Sequence, residues 1–314
     1  MALTVVGSIA FDSVRTPFGE RDRMLGGSAV HFSLAASFFT TVRAVGPVGG
    51  DFGEDEFAVL RARGVETDDI ERVEGGETFF WRAHYGHDLN VAHTDDTQLN
   101  VFGEFEPKLS PASRHTEVLF LGNIQPELQR RVRAQCDAHL VALDSMNLWI
   151  ETTRQALLAA VGEVDCLMLN DAELRMLTEE ANLARAARAV MDMGPSIVVA
   201  KRGEYGAALF TGEGFFAIPG YLLEDVRDPT GAGDSFAGGF LGYLDGVGAE
   251  VAGASDAELR RAMAYGSVLA SFNVEGFGTE RVQTLTRDEI EARLRDFKRL
   301  THFEEQPVPD SPSR

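Results

Sequence analysis

The run DPTGAGDSF, from Asp228 to Phe236, sets three small residues, Gly231, Ala232 and Gly233, directly before Asp234, and the following AGGFLGYL reads as a helix. A helix that begins at such a turn presents unpaired backbone N–H groups and a partial positive charge. Small residues let an anion approach that backbone closely, which suits a phosphate or the charge developing on a transferring phosphoryl group. Asp234 puts a carboxylate in the same place, which weakens plain anion binding. The conflict resolves if the carboxylate does chemistry and takes the proton of a hydroxyl that attacks the phosphoryl group. An ordinary capped turn, which needs only one Asp or Ser, is the alternative that the spacing leaves open.

The elements that would position this turn are visible as an alternation of short apolar runs and helical periods. LTVVGS reads as a strand, GSAVHFSLAASFF (Gly27 to Phe39) as a closely packing small-residue helix, VRAVGPVG as a strand and DEFAVLRARG as a helix closed by Gly64. EVLFLG, LVALDS, DCLMLN and SIVVAK continue the strands, with PELQRRVRAQCDA, TTRQALLAAV, DAELRMLT and LARAARAVMDMG as the helices between them. This alternation argues for βαβ units around a parallel sheet. Open α/β sheets bind ligands beyond the carboxyl ends of their strands, beside helix N-termini, where the Gly231–Asp234 turn would have to lie. Between Ile70 and Gly103, ETFFWRAHYG and TQLNVFG are amphipathic strands without intervening helices, a small β appendage on the core.

Composition excludes several classes. The 314 residues, 44% hydrophobic, suffice for one large globular domain. No apolar run approaches the roughly 20 residues of a membrane span, and MALTVVGSIAFDSV reads as a first strand with no basic leader segment. Cys136 and Cys166 lie far apart inside apolar segments, which argues against a disulfide framework or zinc site and for the cytoplasm. A net charge of −20, from 29 Lys and Arg against 49 Asp and Glu, repels phosphate backbones and speaks against nucleic acid as a partner. Lysine occurs only at Lys108, Lys201 and Lys298. Such a surface fits a salty cytoplasm, a reading that a flat response of stability to salt would contradict.

DPTGAGDSFAGGF closely resembles the signature of the ribokinase-like (PfkB) carbohydrate kinases, and VGPVGGDFGEDEFAVLRARGVETDDI, Val45 to Ile70, resembles that family's N-terminal glycine motif. The two come in the family's order, and the resemblance extends over roughly residues 3–298. It implies a three-layer α/β/α core with a mostly parallel central sheet and a small β-sheet lid, in one kinase domain over residues 1–300. The lid would be formed by about residues 12–18 and 70–103, with the polar, proline-rich 301–314 as a flexible tail. It further implies ATP as phosphoryl donor, Asp234 as catalytic base, and the amides of Gly231, Ala232 and Gly233 as the anion hole. LNDAEL matches the family's Asn-x-x-Glu pattern, which implicates Asn170 and Glu173 in holding Mg²⁺ and its waters; without the family, Glu173 reads equally as a helix-start acid. VVAKRGEYGAALF resembles the turn bordering the nucleotide, with Lys201 or Arg202 neutralising phosphate charge and Gly203 and Gly206 shaping the turn. ASFNVEGFGT, which contains Asn273 and Gly276, sits where relatives close over the adenine. Asp228 and carbonyls of that loop match the positions where some relatives hold K⁺.

For the acceptor, the resemblance implicates Asp12 and the pair Gly26–Gly27, which match positions that bind hydroxyls; a turn role is the alternative for Asp12. His31 departs from the pattern, since sugar-specific relatives usually carry Asn there; it reads either as an acceptor contact or as a core histidine with its polar tip satisfied. In the lid, Phe80, Trp81 and Tyr85 would stack on a nucleobase or on the apolar face of a sugar, or else form a buried seam or a dimer contact. Arg82 would meet a phosphate if the acceptor were already phosphorylated. His84, His87 and His93 lack the acidic or thiolate partners of a metal site. The leading function is an ATP-dependent sugar kinase, with a nucleoside (adenosine-like) kinase as runner-up and a non-catalytic sugar sensor third. Exposed lid edges favour a homodimer. A nicotinamide oxidoreductase would need G-x-G-x-x-G after an early strand, and a P-loop enzyme G-x-x-x-x-G-K-[ST]; neither occurs.

Overall fold

The computed structural model describes residues 2–248 and 254–302, so most of the C-terminal segment read as a tail, residues 303–314, lies outside the described residues. Short runs of apolar residues form a nine-stranded sheet. Edge to edge it runs β13 (Gly214–Ile218), β12 (Ala207–Thr211), β11 (Ile197–Lys201), β10 (Cys166–Asn170), β9 (Leu140–Asp144), β8 (Val118–Leu121), β1 (Ala2–Val6), β4 (Thr41–Gly49) and β5 (Ile70–Val73). Pairing is parallel from β5 through β11 and antiparallel for β12 and β13. The central strands are buried on both faces, which is why VLFL, LVALD and IVVAK are continuous apolar runs and not alternating ones.

Each face of the sheet carries its own core, giving three layers. On one side Leu3, Val5 and Phe120 pack against the helices Ser28–Ala36, Ala232–Gly246 and Asp256–Asn273; Phe32 stacks on Phe120 with ring centroids 4.2 Å apart. On the other, Val6, Leu119 and Leu121 face the helices Pro126–Arg133, Arg154–Val161, Asp171–Thr178 and Leu183–Met191. The register lines up Asp144 with Met168 and Asn170 with Lys201, so β9, β10 and β11 end in Asp144, Asn170 and Lys201 along one rim.

A second sheet of four strands forms the lid, in the order β3 (Gly19–Gly26), β2 (Ala10–Thr16), β6 (Phe79–Tyr85) and β7 (Ala92–Gln98). Its extent differs from the sequence expectation at both ends. GERDRMLG, too charged to read as a strand, pairs with β2 as an edge strand whose polar side chains face water. Residues 70–73 instead join the large sheet, pairing with Gly46–Gly49 of β4. Within the lid, β2 and β6 are parallel and in register, with Asp12 opposite Trp81 and Val14 opposite Ala83. Side chains alternate, so these four share one face while Ser13, Arg15, Arg82 and His84 share the other.

Candidate active site

The turn before the Ala232–Gly246 helix is not an ordinary side-chain-capped turn. Its N-cap is Gly231, left-handed at φ 74° and without a side-chain cap, and Asp234 sits two residues beyond the first helical residue and caps nothing. The Ala232 N–H donates to the Pro229 carbonyl at 3.1 Å, while the N–H groups of Gly231 and Gly233 have no partner among the described residues and stay open to an anion. Gly231 is required twice over: a side chain would be strained at that φ, and its Cβ would stand 2.3 Å from the His31 ring.

His31 lies in the interior as a support beneath this turn. Its Nδ1 is 3.0 Å from Asn273 Oδ1. Asn273 Nδ2 donates to the Thr230 carbonyl at 2.7 Å, and Oδ1 also accepts from Ser235 Oγ at 3.1 Å, so the imidazole proton resides on Nδ1. Nε2 is then a bare acceptor, buried and without a partner among the described residues. Burial lowers the His31 pKa to about 4, with the Asn273 bond opposing, and keeps the ring neutral. The same contacts correct the expectation for Asn273. Its side chain is fully buried beneath the turn against His31 and Ser235, with no exposed surface to offer a nucleotide. Gly276 lies in the turn that follows, packed against Arg281.

Acidic groups line one side of the turn. Asp12 is buried beside Gly26, and its Oδ2 accepts from the Gly27 N–H at 3.3 Å. Burial raises its pKa to about 7, reinforced by the charges of Asp228 and Asp234 against the Gly27 hydrogen bond. Asp228, fully buried, accepts from the N–H groups of Thr230 and Gly278, each at 2.9 Å. Trp81 shares the Asp12 face of the lid, and its indole N–H donates to Thr94 Oγ1 at 3.3 Å. Arg82 does not share that face. It pairs with Asp22 at 3.6 Å on the far side, so it is not placed to receive an acceptor phosphate.

The opposite side of Asp234 holds a cation. Lys201 Nζ donates to Asp144 Oδ2 at 2.5 Å and rests against Gly233. Burial alone would lower the Lys201 pKa, but Asp144 and Glu173 outweigh it, so the ammonium stays charged. Glu173 and Asn170 form a reciprocal cap: the Asn170 N–H donates to Glu173 Oε2 and the Glu173 N–H to Asn170 Oδ1, each at 2.8 Å. Burial raises Glu173 to about 7, with Lys201 opposing and Asp144 adding. Asp234 is likewise raised to about 7, first by burial and then by Asp144, against Lys201. Gly203 and Gly206 bound the short 3₁₀ turn that follows β11, with Arg202 exposed beside them.

The structure thus draws Asp12, Gly26, Gly27, His31, the Gly231–Asp234 turn, Asn170, Glu173 and Lys201 around one rim. Sequence reading missed Asp144. Its signal was available, because LVALD ends an apolar run in a carboxylate before a helix, at the carboxyl end of a parallel strand. Thr230 and Ser235 lie inside the quoted motif, but their links to Asn273 are tertiary.

Comparison with known proteins shows the family to which the chain belongs. The pattern of the pfkB family carbohydrate kinases matches residues 23–285. The cytidine kinase of Thermococcus kodakarensis is 29% identical over 254 residues, 78% of this chain and 89% of that protein. The nucleoside kinase of Methanothermobacter thermautotrophicus is 26% identical over 305 residues, 88% and 91% of the two chains. Among solved structures, the nucleoside kinase of Burkholderia thailandensis in complex with inosine superposes with a TM-score of 0.73 at 20% identity, covering 95% of this chain and 98% of that one; this shows a shared ribokinase-like fold. The chain belongs to the pfkB family of carbohydrate kinases and is a phosphotransferase.

Proposed function

We propose that this kinase transfers the γ-phosphoryl group of ATP to a hydroxyl of an uncharged sugar, free or as the sugar of a nucleoside, with Asp234 as the base. The observation that carries the reading is the position of Asp234, a carboxylate near neutrality in its proton affinity, directly after uncapped helix-terminal amides. Asp12 accepts hydrogen bonds from acceptor hydroxyls and presents one of them to Asp234, which removes its proton as the oxygen attacks phosphorus. The open Gly231 and Gly233 amides stabilise the charge on the transferring group, with Ala232, whose N–H is held by the Pro229 carbonyl, keeping the turn small between them. Lys201 supports the phosphates from the other side, and Gly203 and Gly206 form the turn beside them.

The donor set on the phosphate side fits a hard divalent cation. Asn170, Glu173 and Asp144 offer only oxygens, and three carboxylates with Asp234 exceed the single Lys201 charge. Mg²⁺ held there through water by Glu173 and Asn170 would neutralise phosphate charge. For K⁺, Asp228 and the carbonyls of the 270–279 loop lie buried together, the two Asp228 oxygens accepting from Thr230 and Gly278 N–H groups, but no observation points to a cation among them. No role is assigned to it.

The charges that act on Asp12 are both negative, which supports an acceptor without phosphate. The Trp81 face admits either a sugar's apolar side or a nucleobase, and the nucleoside reading gains support from the named kinases above. The exposed length of β7 supports a lid-to-lid homodimer, and two buried free cysteines suit the cytoplasm. The test is ATP- and Mg²⁺-dependent phosphorylation of pentoses, hexoses, nucleosides and sugar phosphates. Turnover of an uncharged member supports the reading. A preference for sugar phosphates overturns the acceptor assignment, and no turnover of any member moves the sensor alternative ahead.

A further inference from the structure

The lid touches the core on both sides of Asp234 through two residues of one short tip. Strand β6 ends at Tyr85, whose hydroxyl is 3.1 Å from Thr230 Oγ1, although the two are 145 positions apart. Thr230 immediately precedes Gly231, and its own N–H and carbonyl are fixed by Asp228 and Asn273. A bond to its side chain therefore reaches the anion-hole turn through one residue. The chain then crosses to the nucleotide side. At Gly203, left-handed with φ +54°, a Cβ would stand 1.7 Å from Asn90 Oδ1, so the amide of Asn90 occupies the place where a side chain would begin. Asp88 orients that amide, its Oδ1 accepting from the Asn90 N–H at 2.9 Å and from Nδ2 at 3.0 Å. Gly203 lies two residues beyond Lys201, the cation of the phosphate side.

We propose that Tyr85 and Asn90 form a two-point clasp through which lid closure registers on the acceptor side and the nucleotide side together. Tyr85 is a positioning residue acting through Thr230, and Asn90 reports the state of the Gly203 turn to the lid. The consequence is positive coupling: a bound nucleotide that orders the Gly203 turn favours the closed lid, and the closed lid favours the acceptor. The coupling rests on the kinase reading above, but the clasp itself can be measured without any acceptor.

The experiment compares wild type with Tyr85→Phe and Asn90→Ala. With a non-hydrolysable ATP analogue alone, amide hydrogen exchange across Phe79–Tyr85 is expected to slow in wild type and to change much less in Asn90→Ala; equal slowing in both would overturn the clasp. With the acceptor found by turnover, the analogue is expected to tighten acceptor binding in wild type. Tyr85→Phe should weaken acceptor binding by up to about tenfold without nucleotide, the loss of one hydrogen bond, and by less with the analogue bound, because the analogue holds the lid closed through Asn90. If Tyr85→Phe weakens the acceptor equally with and without nucleotide, Tyr85 is merely part of the acceptor pocket and the inference falls. Failure of the kinase reading shows separately, as a wild-type protein that makes no phosphorylated product.

Discussion

The two sides of Asp234 are built on opposite electrostatic plans. On the acceptor side, Asp12 and Asp228 are buried carboxylates satisfied by backbone N–H groups, with a neutral histidine beneath the turn. On the phosphate side, Lys201 is paired to Asp144 with Glu173 acting on both. The proposed function rests on this difference: it places the phosphate-bearing substrate beside the ammonium and the Gly231–Asp234 turn, and the hydroxyl-bearing one beside Asp12. Asp234, between the two, holds its proton more tightly than an ordinary carboxyl, first because it is buried and then because of the Asp144 charge.

The comparison breaks most completely at its midpoint. Asp234→Asn is expected to lower kcat by about 10²–10⁴, the usual worth of a general base. The same substitution should raise thermal stability at pH 8. A carboxylate whose folded pKa is about 7, against an ordinary 3.8, costs stability fully above 7 and not at all below about 4, so the gain should vanish as pH falls toward 4. Melting temperatures at pH 8 and 5 check this. Lys201→Met removes the cation from one side only; it should destabilise the fold by about 3–5 kcal/mol by leaving Asp144 buried alone, and raise the KM for ATP more than that for the acceptor. Gly231→Ala should cost about 2–4 kcal/mol in urea unfolding, from the left-handed φ and the collision with His31. The smallest effect sharpens the neutral side. Because the folded pKa of His31 is about 4 against 6.5, its contribution is lost as pH falls below about 6.5. Asn at position 31 should therefore flatten stability over that window by up to about 3 kcal/mol relative to wild type.

Most of the fold was legible because it rests on local rules. Doubly buried parallel strands leave continuous apolar runs, and the glycine turn before Asp234 has a composition few other structures need. Asp12, Glu173 and Lys201 could be reached because each falls in a short motif that the family resemblance covers. What escaped depended on pairing between distant segments. Charged β3 is a strand only because β2 lies beside it, and residues 70–73 join the large sheet only because β4 is there. The inward turn of Asn273 follows from His31 and Ser235, contacts 242 and 38 positions away. The face on which Arg82 lies follows from its register with Ser13. Residue type names a chemistry, but register decides which side chain faces the site.

The central claim is that Asp234, raised to a pKa near 7 between these two sides, is the base. The most direct measurement is kcat/KM for the acceptor from pH 5.5 to 9 at saturating ATP and Mg²⁺. The account predicts a rise of about tenfold per pH unit on the acid side, levelling near pH 7, and no such limb in the residual activity of Asp234→Asn. A wild-type profile flat over the whole range, or an identical limb in the variant, would contradict it.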